Sequence, residues 1–178
     1  AGGNNMFIYT SPSMGGATVT ASYQNHGGHA AESYMDFALV VSPESMEGLT
    51  VGFGTADHKI TGSTVDVQES TMFATYAMGA FTIGVQSSDY DSDTATSDLE
   101  SMQYGVSYAV NDDFSVSYGY HELETESTSD SDQESTGISA SYTMGGMTLG
   151  GAMNEVDNMG GTAATDVKGY EFTLSFAF

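Results

Sequence analysis

Tyr170-Glu171-Phe172-Thr173-Leu174-Ser175-Phe176-Ala177-Phe178 alternates large apolar side chains with polar or small ones and reaches an aromatic ring at Phe178. A period of two is the signature of a strand with two unlike faces. Tyr170, Phe172, Leu174, Phe176 and Phe178 share one face, and Glu171, Thr173, Ser175 and Ala177 share the other. At about 3.3 Å per residue the stretch extends about 30 Å, and tilted near 45° it covers most of the apolar thickness of a bilayer.

The same alternation recurs toward the amino terminus. Met102, Tyr104, Val106, Tyr108 and Val110 stand opposite Gln103, Gly105, Ser107 and Ala109, and Phe114, Val116, Tyr118 and Tyr120 stand opposite Ser115, Ser117, Gly119 and His121. Ile138, Ala140, Tyr142 and Met144 lead into Gly145-Gly146, and Met147 and Leu149 lead out of it. Upstream, strands are expected at Asn5 to Thr10, Ala17 to Tyr23, Tyr34 to Val41, Leu49 to Thr55, Thr71 to Met78 and Phe81 to Gln86. Short turns rich in Gly, Pro, Ser and Asn alternate with long polar stretches: Gln24 to Ser33, Ala56 to Ser70, Asp89 to Asp98, Glu122 to Ser135 and Asn154 to Gly161. Alternating loop length marks a membrane β-barrel, with short turns on one side and long loops on the other. A soluble sandwich has no reason to show it. The expectation is one all-β domain over residues 1–178, an up-and-down antiparallel barrel whose apolar face meets lipid.

Composition agrees. The chain has 178 residues with 22 Gly, 2 Pro, 11 Tyr and 9 Phe, suited to strands and turns rather than to a disordered acidic chain. It has no Cys, so disulfides and thiolate metal sites are excluded. Only 2 Lys plus Arg face 24 Asp plus Glu, a formal charge of -22, which excludes nucleic acid and a basic membrane-surface patch.

Two stretches carry a resemblance to known families. The closing strand, with Tyr170, Phe172, Leu174, Phe176 and Phe178 as its apolar row, resembles the terminal strand of bacterial outer-membrane barrels, which ends in Phe and carries the signal read by the barrel-assembly machinery. Tyr9-Thr10-Ser11-Pro12-Ser13-Met14-Gly15-Gly16, followed by an alternating strand ending in Ser22-Tyr23, is similar to the Tyr-Asp-Ser-Pro-x-Phe-x-Gly turn of the general trimeric porins. Thr10 stands where that family often has Asp, and Met14 where it has Phe. The resemblance implies an outer-membrane channel for passive diffusion of small hydrophilic solutes, a homotrimer, and contact with lipid and lipopolysaccharide. The candidate strands number eleven, whereas bacterial barrels have an even number with both ends in the periplasm. Counted back from the last strand, these would be strands 6–16 of a sixteen-stranded porin, the size that leaves an aqueous channel. A complete barrel of about 10 or 12 strands is the alternative.

Wall charge decides which ions enter a pore, so carboxylates with almost no cations predict a cation preference. Asp36, Gln103, Ser117 and Glu171 are the expected pore-lining residues. Asp89, Asp91, Asp93 and Asp98 cluster hard oxygens of the kind Ca²⁺ takes, but lack the Gly and distal Glu of the twelve-residue loop of helical calcium sites; a solvated acidic loop is the plainer reading. No catalytic motif stands out among His26, His29, His58 and His121; His121 beside Glu122 is the one pairing that a barrel enzyme could use at its rim. The other functional reading is a small closed barrel with a structural or adhesive role and Ca²⁺-binding acidic loops.

Overall fold

The computed structural model describes residues 6–24, 32–60, 66–93, 98–125 and 132–177. It contains one eleven-stranded sheet in which every strand pairs with its neighbours in sequence, all antiparallel, in the order β1 to β11. The strands are β1 (Met6–Thr10), β2 (Ala17–Gln24), β3 (Glu32–Val41), β4 (Leu49–Ile60), β5 (Asp66–Met78), β6 (Phe81–Ser92), β7 (Leu99–Ala109), β8 (Phe114–Thr125), β9 (Gln133–Met144), β10 (Met147–Asp157) and β11 (Val167–Phe176). Among the described residues one 3-10 turn, Met159–Gly161, precedes β11. Phe178 lies outside the described residues, as do His26 and His29.

The expected strand count holds, but the strands are longer than the apolar alternation suggests. The polar stretch expected as a loop over Ala56 to Ser70 belongs mostly to β4 and β5. Asp89 and Asp91 lie in β6, Glu122 and Glu124 in β8, and Glu134 in β9, so these acids of the expected loops stand at strand ends, while residues 94–97 and 126–131 of those loops lie outside the described residues. The reason is that a ladder of backbone hydrogen bonds continues wherever neighbouring strands stay paired, whatever the side chains.

The turns at one end are held by specific groups. Ser11 is buried, its hydroxyl accepting the Val19 N–H at 2.9 Å and donating to the Pro12 carbonyl at 3.0 Å. Gly16 has φ +84°, and its carbonyl accepts the Ser42 N–H at 2.8 Å; a Cβ there would run into the Ser42 carbonyl oxygen. The Asn111 carboxamide oxygen accepts from the N–H groups of Asp113 and Phe114, both at 2.9 Å, closing the β7–β8 turn.

Register separates two faces. Phe7, Tyr23, Phe37, Phe53, Met72, Ile83, Tyr104, Tyr118, Ile138, Leu149 and Phe172 occupy one of them, and most are exposed. Phe172 is 83% exposed and Tyr170 68%. Among the described residues Ala56 is the one buried hydrophobic side chain. The total accessible surface is 11705 Å², against about 8,200 Å² for a compact soluble protein of this mass. A sheet with so little internal core needs an apolar medium against that face.

Candidate functional site: the polar face

The opposite face carries Ser, Thr, Gly, Gln and Asn in cross-strand rows. One row runs Phe73, Gln86, Gln103, His121, Ser135 and Val156 from β5 to β10. The next runs Thr75, Gly84, Gly105, Gly119, Gly137 and Asn154, so four glycines sit side by side on adjacent strands. A third runs Ser107, Ser117, Ser139, Ala152 and Glu171. Two cavities, of about 650 and about 510 Å³, are lined mainly by this face.

The hydroxyl and amide groups of this face pair with one another. Thr71 and Ser88 share a 2.8 Å hydrogen bond, and Gln86 Nε2 donates to Ser88 Oγ at 3.2 Å. Ser117 and Ser139 pair at 2.8 Å, and Ser101 Oγ lies 3.0 Å from His121 Nε2. Satisfied pairs of this kind orient a wall while leaving each hydroxyl a further lone pair for solvent.

Asp36, Gln103, Ser117 and Glu171 all stand on the polar face. Asp36 accepts a 2.5 Å hydrogen bond from the Ser22 hydroxyl. Gln103 and Ser117 line the larger cavity, Asp36 lines the second, and Glu171 lines neither. Glu69 joins Asp36 and Glu171 as the third strand acid on this face among the described side chains. Sequence reasoning missed it by placing it in a loop, although two-residue spacing from Thr71 and Phe73 puts it on their face.

Both basic residues face the other way. Lys59 shares the apolar face with Phe53 and lies 3.9 Å from Asp66, and Lys168 Nζ lies 2.6 Å from Glu155 Oε1, with Glu155 half-buried and the other three side chains exposed. Exposed pairs of this type contribute little to stability. Toward the same strand ends the apolar face turns acidic. Asp89, Glu100 and Glu124 are direct neighbours on β6, β7 and β8, and Glu122, Glu134 and Asp157 on β8, β9 and β10.

The four aspartates singled out for metal do not converge as one set. Asp93 Oδ2 accepts the Asp66 N–H at 3.0 Å, and Asp98 Oδ1 accepts the Ser92 N–H at 2.8 Å. Asp89, Asp91 and Asp98 border a depression of about 470 Å³ that also includes Glu124 and Asp132. The carboxylates that approach one another, within 4.8 Å, are instead those of Glu122, Glu124 and Asp132. His121 and Glu122 point to opposite faces, as consecutive strand residues must, which separates the pair considered for catalysis. Tyr34 lies on the polar face beside His58, their ring centroids 6.3 Å apart. Tyr120 and Tyr104 do stack on the apolar face at 4.9 Å, as Phe81 and Tyr108 do at 4.4 Å.

A family model described as Gram-negative porin matches residues 1–158. No curated protein sequence matches the chain. Among solved structures, the fold is similar to an anion-selective porin from Comamonas acidovorans, with a TM-score of 0.81 at 19% identity, over 98% of this chain and 60% of that one. It is similar to the trimer form of OmpT, an outer-membrane protein of Vibrio cholerae, with a TM-score of 0.68 at 16% identity, over 95% of this chain and 62% of that one. It is also similar to the NanC porin, with a TM-score of 0.58 at 12% identity, over 97% of this chain and 98% of that one. The chain therefore spans 60% and 62% of the lengths of the first two.

Proposed function

This chain belongs to the Gram-negative porin family and to the bacterial outer membrane, and on that premise we propose that its polar face lines a water-filled channel for small hydrophilic solutes with a preference for cations. Transport is passive diffusion, with pore width excluding large solutes and wall charge setting the local ion concentration. No catalytic step is part of this reading. The observation that carries it is the sign of the polar face, on which every described Asp, Glu, Lys or Arg is an acid, whereas the other face carries both lysines together with further acids. Asp36, Glu69 and Glu171 stand on the polar face, while Lys59 and Lys168, the chain's only basic residues, stand on the other.

The Comamonas porin is described as anion-selective. The present chain carries 2 basic against 24 acidic residues, which argues for the opposite sign here. A native barrel of sixteen strands and a homotrimer belong to the same proposal. Eleven strands over about three-fifths of the Comamonas porin support the first, and the trimer form of the Vibrio protein supports the second. Contacts with lipopolysaccharide and with the barrel-assembly machinery, through the Tyr170 to Phe178 row, complete the reading.

The test is the current carried by the native protein in planar bilayers under a KCl gradient. Discrete openings whose reversal potential favours K⁺ support the proposal. Openings favouring Cl⁻ remove the cation preference, and absence of openings after verified insertion removes the channel.

A further inference from the structure

The cavity of about 510 Å³ on the polar face combines two features that bare ion conduction does not need. Across β3, β4 and β5 the register runs Asp36, Ala56, Glu69, and it continues to Tyr90 on β6 and Leu99 on β7. Asp36 and Glu69 are thus two strand spacings apart, about 10 Å between backbones. Ala56 between them is only 8% exposed although it sits on a face turned toward the cavity, so neighbouring side chains close over its methyl group. Tyr34, on the Asp36 side, and Tyr90, directly opposite Glu69, add aromatic surface, and Leu99 and Leu123 close the far wall.

A wall meant only to gather hydrated metal cations has no use for tyrosine and leucine beside its carboxylates, because those side chains exclude the water such ions keep. Carboxylates bracketed by aromatic faces suit a cation that carries its own apolar surface. Lys59 and Lys168 face away, so among the described residues neither lysine stands on the wall beside the two acids, and the base on that face nearest them is His58, next to Tyr34. We propose that Asp36, Glu69, Tyr34 and Tyr90 form a subsite within the channel for organic cations, compact amines or quaternary ammonium ions with hydrocarbon substituents. The inference deepens the channel reading and rests on it. Glu69 and Asp36 supply the attraction, the tyrosine rings the contact with the substituents, and the cavity is of the size that small organic ligands occupy.

The experiment uses the native protein in planar bilayers carrying K⁺ current, with tetraethylammonium added to one side. Reversal potential in KCl is recorded first and tests the channel reading by itself. The expected result is a saturable reduction of the K⁺ current by millimolar tetraethylammonium, weakened about threefold in Tyr90→Leu, the loss of one ring contact at a partly exposed site. Glu69→Gln weakens the block about fivefold, as one carboxylate acting through water would. A K⁺-preferring channel that tetraethylammonium does not block overturns the subsite and leaves the channel intact. Equal block of wild type and Tyr90→Leu overturns it as well, reducing the site to wall charge.

Discussion

Ser22 donates a 2.5 Å hydrogen bond to the carboxylate of Asp36 across the β2–β3 ladder. The bond holds a carboxylate in place on the polar face, where the proposed channel would expose it to passing ions. Asp36→Asn keeps the hydrogen bond and removes the charge, so the KCl reversal potential is expected to move toward zero with the fold unchanged. Ser22→Ala keeps the charge and frees the side chain, so selectivity persists while stability falls by about 1 kcal/mol. Urea unfolding of both variants beside their reversal potentials checks the pair.

Four glycines on adjacent strands leave the polar face bare at its middle, and Gly119 has room for a side chain, the nearest atom to an added Cβ being 4.0 Å away. Gly119→Leu is therefore expected to lower single-channel conductance while leaving stability within about 0.5 kcal/mol. Gly52 is the contrast, because the Phe73 ring already occupies its Cβ position. Gly52→Ala is expected to displace that ring and to destabilise the barrel by about 1–3 kcal/mol. Conductance and urea midpoints of the two variants separate the effects.

The Ser11 hydroxyl is the sole side-chain partner of the Val19 N–H in a turn where Ser11 itself is 8% exposed. Ser11→Ala leaves that turn one hydrogen bond short, at a cost of about 1–2 kcal/mol. Ser11→Thr, which keeps the hydroxyl, is expected to restore most of the loss. The measurement is the urea midpoint of the folded barrel in detergent.

Glu100 lies between Asp89 and Glu124 with no opposite charge across either ladder. Like charges directly opposite destabilise a sheet. Glu100→Gln is expected to raise stability by about 0.2–1 kcal/mol, and raising salt from about 0.05 to 0.5 M is expected to stabilise wild type more than the variant. A variant with unchanged stability and unchanged salt response contradicts the repulsion.

The sequence announces strands where apolar and polar residues alternate, which is why β11 is visible in Phe172, Leu174 and Phe176, and why β7 and β8 are visible in their tyrosines and valines. It falls silent where both faces are polar. Asp57 and His58 lie on opposite faces of β4, and Gln68 and Glu69 on opposite faces of β5, yet none of the four is apolar, so the strand reads as loop. Glu69 was lost in that silence. Tyr34 needed only parity, since two residues from Asp36 it must share that face. The glycine row and the opposed carboxylates depend on register between strands, which no single stretch encodes.

Because the chain contains no cysteine, single introduced thiols report which face meets water. Ser117 and Tyr118 are consecutive residues of β8, on the polar and apolar faces respectively. The decisive measurement is the current of Ser117→Cys and Tyr118→Cys in planar bilayers before and after a membrane-impermeant, positively charged methanethiosulfonate. Rapid modification and a fall in conductance for Ser117→Cys, with Tyr118→Cys untouched, is the outcome expected of a polar face that lines the channel. Modification of Tyr118→Cys with Ser117→Cys protected would contradict it.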